Sequence, residues 1–516
     1  MAKKRISISI FQIFIALIII ISIIIITIVV KKNVDFEQIG VSEELEKDFN
    51  GSGTKEEPYK IENIEDLVKL SEKVNSGKSY SNQYFELTNK LDFQSDESYA
   101  NANNKYGDLN RDGKIEPIKT ELTTSNGFQA IGNTEEHPFE GTFNGNNKTI
   151  KNLLISVNSE NENIMAGLFG NNKGTILNIK VIGNITVNEN LENKKIYIGM
   201  ISAKNEGILQ VCNTEGEIKA INNGANNIIQ AAGIVAENMG KISDSASNVN
   251  ITASQLKAGI TAKNTVVDGI ENSGTVINCT NIGSIKETIG SDCYTAGIVA
   301  ENEKGNITSC NNNGAVEGRK VGGIAGISTG SIIACQNTGN ISNPKEESTD
   351  TELAGGIVGV LDTATVENCK NTGDILGLTN VGGIAGENKG SISQCRNEGN
   401  ISKINGVIGK NVNLGGIIGT NSPTAKLTNS KNYGGVSAET DNLVNMGGIC
   451  GLLYNTAVIE SCENNGGLNG AAKVITPNED TSINCTACVN NSGGSAENTD
   501  FGELNIGIIY GKFKEK

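Results

Sequence analysis

A twenty-residue pattern, GGIAG-x-x-x-G-S-I-x-x-C-x-N-x-G-x-I, recurs through two-thirds of this chain and limits what it can fold into. It is clean at Gly322 to Ile341 and at Gly382 to Ile401. Looser copies place the second glycine at Gly167, Gly199, Gly233, Gly259, Gly297, Gly356, Gly416 and Gly448, which makes ten copies spaced 26 to 38 residues apart. A unit of that size cannot bury its own apolar side, so it must stack on its neighbours as a solenoid.

Each copy divides into three short apolar runs, such as GGIAG, GSISQC and GNIS, separated by Gly, Asn and Ser. The runs are too short for helices and carry no 3.6-residue period, so they read as strands. Three strands per turn predict an all-β, parallel β-helix, right-handed as parallel crossovers overwhelmingly are. Ten coils at the strand spacing make a rod on the order of 50 Å. Aligned copies put Cys212, Cys279, Cys310, Cys335, Cys369, Cys395 and Cys462 in one column, with Ala246 and Ser430 in the remaining places. Two residues on come Asn248, Asn281, Asn312, Asn337, Asn371, Asn397, Asn432 and Asn464, read as an asparagine ladder at a left-handed corner. A glycine column follows (Gly216, Gly283, Gly314, Gly339, Gly373, Gly399, Gly434 and Gly466), where positive φ or close backbone approach is expected.

Seven stacked cysteines that alternate with alanine and serine read as reduced, buried small hydrophobes rather than disulfides. Cys485-x-x-Cys488 is a lone pair, a weak metal or redox signal, and Cys488 opens CVNNSG as a last rung of the column.

Glycine numbers 62 and proline only 6, as in a turn-rich β protein. Five basic residues flank the N-terminal apolar stretch, so residues 33–516 carry −20 against −15 for the whole chain, a balance that excludes binding to nucleic-acid phosphates. Ile6 to Val30 is long enough to span a bilayer, and Lys3, Lys4 and Arg5 place its start in the cytoplasm. The expectation is a single-pass signal-anchor with the bulk outside the cell; secretion after signal cleavage is the alternative. The domain reading is an anchor at 1–32, a linker at 33–50, a cap and first coils at 51–160, the repeats at 161–470, and C-terminal coils and cap at 471–516.

A helix opening at Asn63-Ile-Glu-Asp66, with Leu67, Leu70 and Val74 on one stripe, is expected to close the first coil. The runs Tyr84 to Phe93, Phe128 to Gly132 and Phe139 to Ile155 read as the first coils. From Gly51 through Ala166–Gly170 and the GGIAG repeats to about Gly470, the chain resembles bacterial surface proteins with GLUG-motif repeats, including the non-catalytic region of IgA-protease-like proteins. That resemblance implies a right-handed β-helix in a cell-surface setting and no particular reaction.

Chemistry is sparse. One histidine, His137, sits in a turn-like TEEHPFEG, which removes two-histidine metal sites and leaves a triad without its nucleophile elbow. Polysaccharide lyases and hydrolases use the same fold, yet this chain has four arginines, no tryptophan, and carboxylates scattered singly. Glu237, Glu301 and Glu387 share one position after the GGIAG block and would have to line a face for such chemistry. One local motif carries a mechanism. Asp108, Asn110, Asp112, Lys114 (through its carbonyl) and Glu116 follow the D-x-N-x-D-G spacing of a calcium loop, resembling EF-hands and dockerins, although Lys119 stands where the twelfth-position acid belongs. Glu121 is the alternative acid. The expectation is a non-enzymatic structural or adhesin-like surface protein. Calcium is its one candidate cofactor, a glycan or protein its ligand class, and its oligomeric state is open.

Overall fold

The computed structural model describes residues 48–93, 127–157, 162–187, 191–221, 224, 226–288, 293–345, 351–405, 412–438, 444–454 and 456–469, with the strand backbone of 485–486, 489–490 and 510–514. The chain falls into two units, 1–50 and 51–516, and the second is a solenoid. Among the described residues no helix is long and apolar enough to cross a membrane. Ile6 to Val30 lies outside them, as does the calcium motif.

One coil shows how the repeat folds. Asn380–Gly382, Ala385–Asn388, Ser391–Ser393, Arg396–Asn397 and Ile401–Lys403 are its strands. Each pairs in parallel with its equivalents one coil before and after, as Val381 does with Ala354 and Leu414, and Ile392 with Val366 and Leu427. Stacking builds three parallel sheets of 31, 10 and 11 strands. The core is therefore a set of aliphatic columns in which Ile392, Ile384 and Ile401 are fully buried.

GGIAG was expected to be one strand, but it is a corner. Gly382 ends one strand and Ala385 begins the next. A Cβ on Gly383 would lie 2.2 Å from Gly416 O and 2.3 Å from Asn397 Cγ, so a side chain there would strike both the next coil and the asparagine across the core.

The asparagine ladder is present, built inside a strand rather than on a left-handed turn. Asn281, Asn312, Asn337, Asn371, Asn397, Asn432 and Asn464 are buried. Each passes an Nδ2–H to the Oδ1 of the next, at 2.7 to 2.9 Å. The same amide donates to the glycine carbonyl two residues on, as Asn371 does to Gly373 at 2.9 Å. That second bond makes a corner. Where the column holds Val181, Thr214 or Ser247, the strand runs straight through, as in Thr175–Val187, Ile208–Ala220 and Ala246–Ala253. In the glycine column only Gly216 has a positive φ, +133°. For the others close approach is the reason, since a Cβ on Gly373 would sit 2.0 Å from Gly339 O.

The left-handed residues stand just before the cysteine column: Asn278, Ser309, Ala334, Asn368 and Gln394 have φ between 53° and 55°. Such a residue turns the next N–H out of the regular ladder, and the column supplies its acceptor. Cys310 N donates to Cys335 Sγ at 3.4 Å and Cys335 N to Cys369 Sγ at 3.4 Å, while each thiol donates back to a carbonyl of its own coil. Serine does the same job, with Cys212 N on Ser245 Oγ at 3.0 Å and Cys395 N on Ser430 Oγ at 3.1 Å. The column therefore selects a small side chain that can accept a hydrogen bond, and an apolar filler would leave a buried N–H unpaired. This corrects the alignment too. Ser245 and Ser247 hold the places expected for Ala246 and Asn248, and Asn248 is exposed. A one-residue slip reverses which face a strand buries.

All nine described cysteines are free thiols, and all but Cys293 are buried. Val489–Asn490 pairs with Glu463–Asn464, continuing the register where Cys488, outside the described residues, was expected to close the column.

At the N-terminal end, helix α1 (Ile64–Asn75) begins as expected at Asn63, whose side chain accepts from Asp66 N. It buries Ile64, Leu67, Leu70 and Val74. Asn75 Oδ1 accepts the N–H groups of Gly132 and Asn133, both at 2.9 Å, and Ser71 Oγ donates to Gln129 O. These bonds fix the helix over the Phe128–Gly132 segment, above a stack of Phe85, Phe139 and Phe169.

Candidate functional site

Glu237, Glu301 and Glu387 do share one outward column, but they do not stack on one another. The column runs Lys204, Glu237, Lys263, Glu301, Ile327, then Val360, Glu387 and Thr420. Lys204 lies 3.4 Å from Glu237 and 2.6 Å from Glu135, and Lys263 lies 3.8 Å from Glu301 and 3.0 Å from Glu303. Burial works to lower the Lys204 pKa, but its bond to Glu135 and the field of Glu237 outweigh it and hold the ammonium above its usual value. Burial lifts the Glu301 carboxyl above the usual range against the pull of Lys263. Glu387 accepts from Ser422 Oγ and pairs with Lys389. Glu237 and Glu301 are two coils apart, roughly 10 Å at the strand spacing, with Lys263 between, and Glu387 is three coils further on, beyond Ile327 and Val360. Paired glycosidase carboxylates stand roughly 5 to 9.5 Å apart and face one bond. From Lys204 to Glu301 the column is an ion-pair ladder.

The neighbouring asparagines carry more, and the sequence reading passed over them. Asn172, Asn205, Asn238, Asn264 and Asn302 form a second buried amide ladder at 2.7 to 2.8 Å, continued onto Ser328 Oγ at 2.9 Å. Leu361 interrupts it before Asn388 and Asn421 resume at 2.8 Å. The signal was visible, because Asn238, Asn302 and Asn388 each follow one of those glutamates.

His137 lies in a half-buried bend with its backbone N–H on Thr134 Oγ1. Among the described residues no His, Cys, Asp and Glu side chains group closely enough to hold a metal. Asp108, Asn110, Asp112, Lys114 and Glu116 lie outside those residues.

A polar groove lies beyond the glycine corner. Asn340, Asp374 and Asn400 stack outward there: Asn400 donates from N and Nδ2 to Asp374 Oδ1 at 2.9 and 3.1 Å, and Asp374 N donates to Asn340 Oδ1 at 3.2 Å. With Ser402, Ser437 and the exposed Leu376 they line an open groove of about 520 Å³. Across the corner Lys370, Arg396 and Lys431 stand in register, held by Glu398 and Glu463. The Arg396 guanidinium lies over the Tyr433 ring at 4.2 Å. The two sides of the corner present stacked amides, hydroxyls, the carboxylates of Asp374, Glu398 and Glu463, and an arginine-covered aromatic.

The fold is a β-solenoid, and the GLUG motif matches residues 350–376, which hold the strands from Leu353–Gly355 to Ile375–Gly377. The resemblance read from the repeats is borne out there. The chain is similar to Halomucin of Haloquadratum walsbyi, 29% identical over 138 residues, which is 27% of this chain and 1% of that protein's own length. A solved structure of a proposed immunoglobulin A1 protease from Bacteroides ovatus aligns over 86% of both chains at 16% identity, with a TM-score of 0.24.

Proposed function

We propose that this chain is a non-catalytic surface solenoid that presents a polar binding face outside the cell, held to the membrane by Ile6 to Val30. The observation that carries this reading is how the polar side chains are used. Amides go into interior ladders, and Glu237 and Glu301 alternate with Lys204 and Lys263, so that Lys263 neutralises both Glu301 and the Glu303 carboxylate beside it. The Asn340–Asp374–Asn400 face is suited to a hydroxyl-rich ligand, because stacked amides and hydroxyls both donate and accept while Tyr433 and Leu376 offer apolar patches. We further propose right-handed coils and weak calcium binding at Asp108, Asn110 and Asp112. Probing a glycan and protein array with the full chain tests the reading. Binding that Asp374→Ala abolishes supports it, and turnover of any arrayed glycan, read as released reducing ends, would overturn it.

A further inference from the structure

The connection between Val316–Glu317 and Lys320–Gly322 is only Gly318 and Arg319, and it pins Arg319 by its backbone. Arg319 N donates to Glu287 Oε2 at 2.7 Å, and Arg319 O accepts from Leu353 N at 2.8 Å and Asn343 Nδ2 at 3.0 Å. The residue is 9% exposed, yet its guanidinium has no hydrogen bond, ion pair or ring contact among the described residues. It lines a cavity of about 320 Å³ with Lys286, Glu287, Thr288, Glu317 and Lys345, a volume within the range of small-ligand sites. Thr288 Oγ1 is buried there without a partner.

The two acids of the cavity are already engaged. Glu287 faces Lys257 at 3.9 Å besides the Arg319 N–H, and Glu317 faces Lys286 at 3.8 Å. Three basic side chains (Lys286, Arg319 and Lys345) therefore line the cavity with two carboxylates, in a chain whose net charge is −15. The Arg319 guanidinium lines the cavity, and its planar fork fits a carboxylate with two parallel bonds.

We propose that this cavity binds a carboxylate, with Arg319 holding both oxygens and the Thr288 hydroxyl donating a further bond. The two lining acids disfavour a phosphate dianion, so the ligand is a monoanion such as a uronate. This supplies a ligand class to the binding reading above and rests on it only for its biological setting.

Calorimetric titration of the full chain with sodium glucuronate tests the proposal, with glucose and inorganic phosphate as comparison probes. Expected is saturable glucuronate binding that Arg319→Lys weakens about tenfold or more and Thr288→Val weakens less, with glucose silent. The proposal is overturned if the wild type does not bind glucuronate, if phosphate binds more tightly, or if a folded Arg319→Met protein binds as well as the wild type. Array binding lost through Asp374→Ala with glucuronate titration unchanged keeps this site separate from the surface reading.

Discussion

Removing one rung of the asparagine ladder should cost far more than removing an exposed asparagine of the same repeat. Asn371 is fully buried and takes part in three bonds: to Gly373 O at 2.9 Å, to Asn397 Oδ1 at 2.8 Å, and from Asn337 Nδ2 at 2.7 Å. Asn371→Ala deletes all three, each worth a net ~0.5 to 1.5 kcal/mol. Asn337 Nδ2 keeps its bond to Gly339 O, so its loss is partial. Asn397 Oδ1 loses its Asn371 donor inside the core, a desolvation penalty of about 1 to 3 kcal/mol. Together these predict about 2.5 to 7.5 kcal/mol, with unfolding that begins at the coils around the gap because solenoid stability is carried by neighbour contacts. Asn248→Ala, on the exposed face, should stay within ~0.5 kcal/mol. Urea denaturation of both variants, with hydrogen exchange read coil by coil, measures this. Equal costs for the two, or an Asn371→Ala cost below about 1 kcal/mol, would refute the ladder argument.

Ile392, stacked between Val366 and Leu427, should not tolerate a charge: Ile392→Asp should cost several kcal/mol and open the adjacent coils to protease. The column thiols should be free, reacting with maleimide only after denaturation, and mass spectrometry showing most of them oxidised would contradict that. Burial pushes the Cys212 thiol well above its ordinary value and Cys450 up to about 12, so the folded values exceed the unfolded one. Stability should therefore be level at neutral pH and fall as pH rises from about 9 toward 12, where the unfolded chain ionises first; denaturation midpoints across that window check it. Lys257, fully buried and 3.9 Å from Glu287, should be replaceable: Lys257→Met should be neutral or stabilising, whereas Glu287→Gln should cost about 3 kcal/mol, both read by thermal melts. Calcium should bind with Kd on the order of 10⁻⁴ to 10⁻³ M, and identical calorimetric traces for the wild type and Asp108→Ala, Asp112→Ala would reduce the motif to an acidic turn.

Periodicity exposes a solenoid because every coil repeats its columns, so the strands, the amide ladder and the capping helix were legible in residues such as Asn371, Ile392 and Leu67. What was not legible depends on side-chain direction. Cys310 looked like a small hydrophobe because nothing in one sequence shows that Ser309 is left-handed and turns the following N–H toward a thiol of the next coil. Ser245 and Ser247 were misread by one residue because the motif there has lost both its cysteine and its asparagine, and only strand register restores the alignment. The GGIAG corner was hidden because glycine is read equally well as strand or turn until the neighbour that would strike its Cβ is known. Glu237 and Glu301 shared a position, as expected. Their meaning changed because Lys263, from a coil with a weaker motif, stands between them. Arg319 counted in the sequence only as one of four arginines, since its place at a cavity is a property of the fold and not of its neighbours in sequence.

Digestion of intact cells expressing the full chain, followed by mass spectrometry of the released and retained peptides, tests most directly whether this solenoid stands outside the membrane. The account predicts that protease added to unbroken cells cuts within residues 33–516 and leaves Met1 to Lys32 with the membrane. Protection of residues 33–516 until the cells are lysed would contradict it.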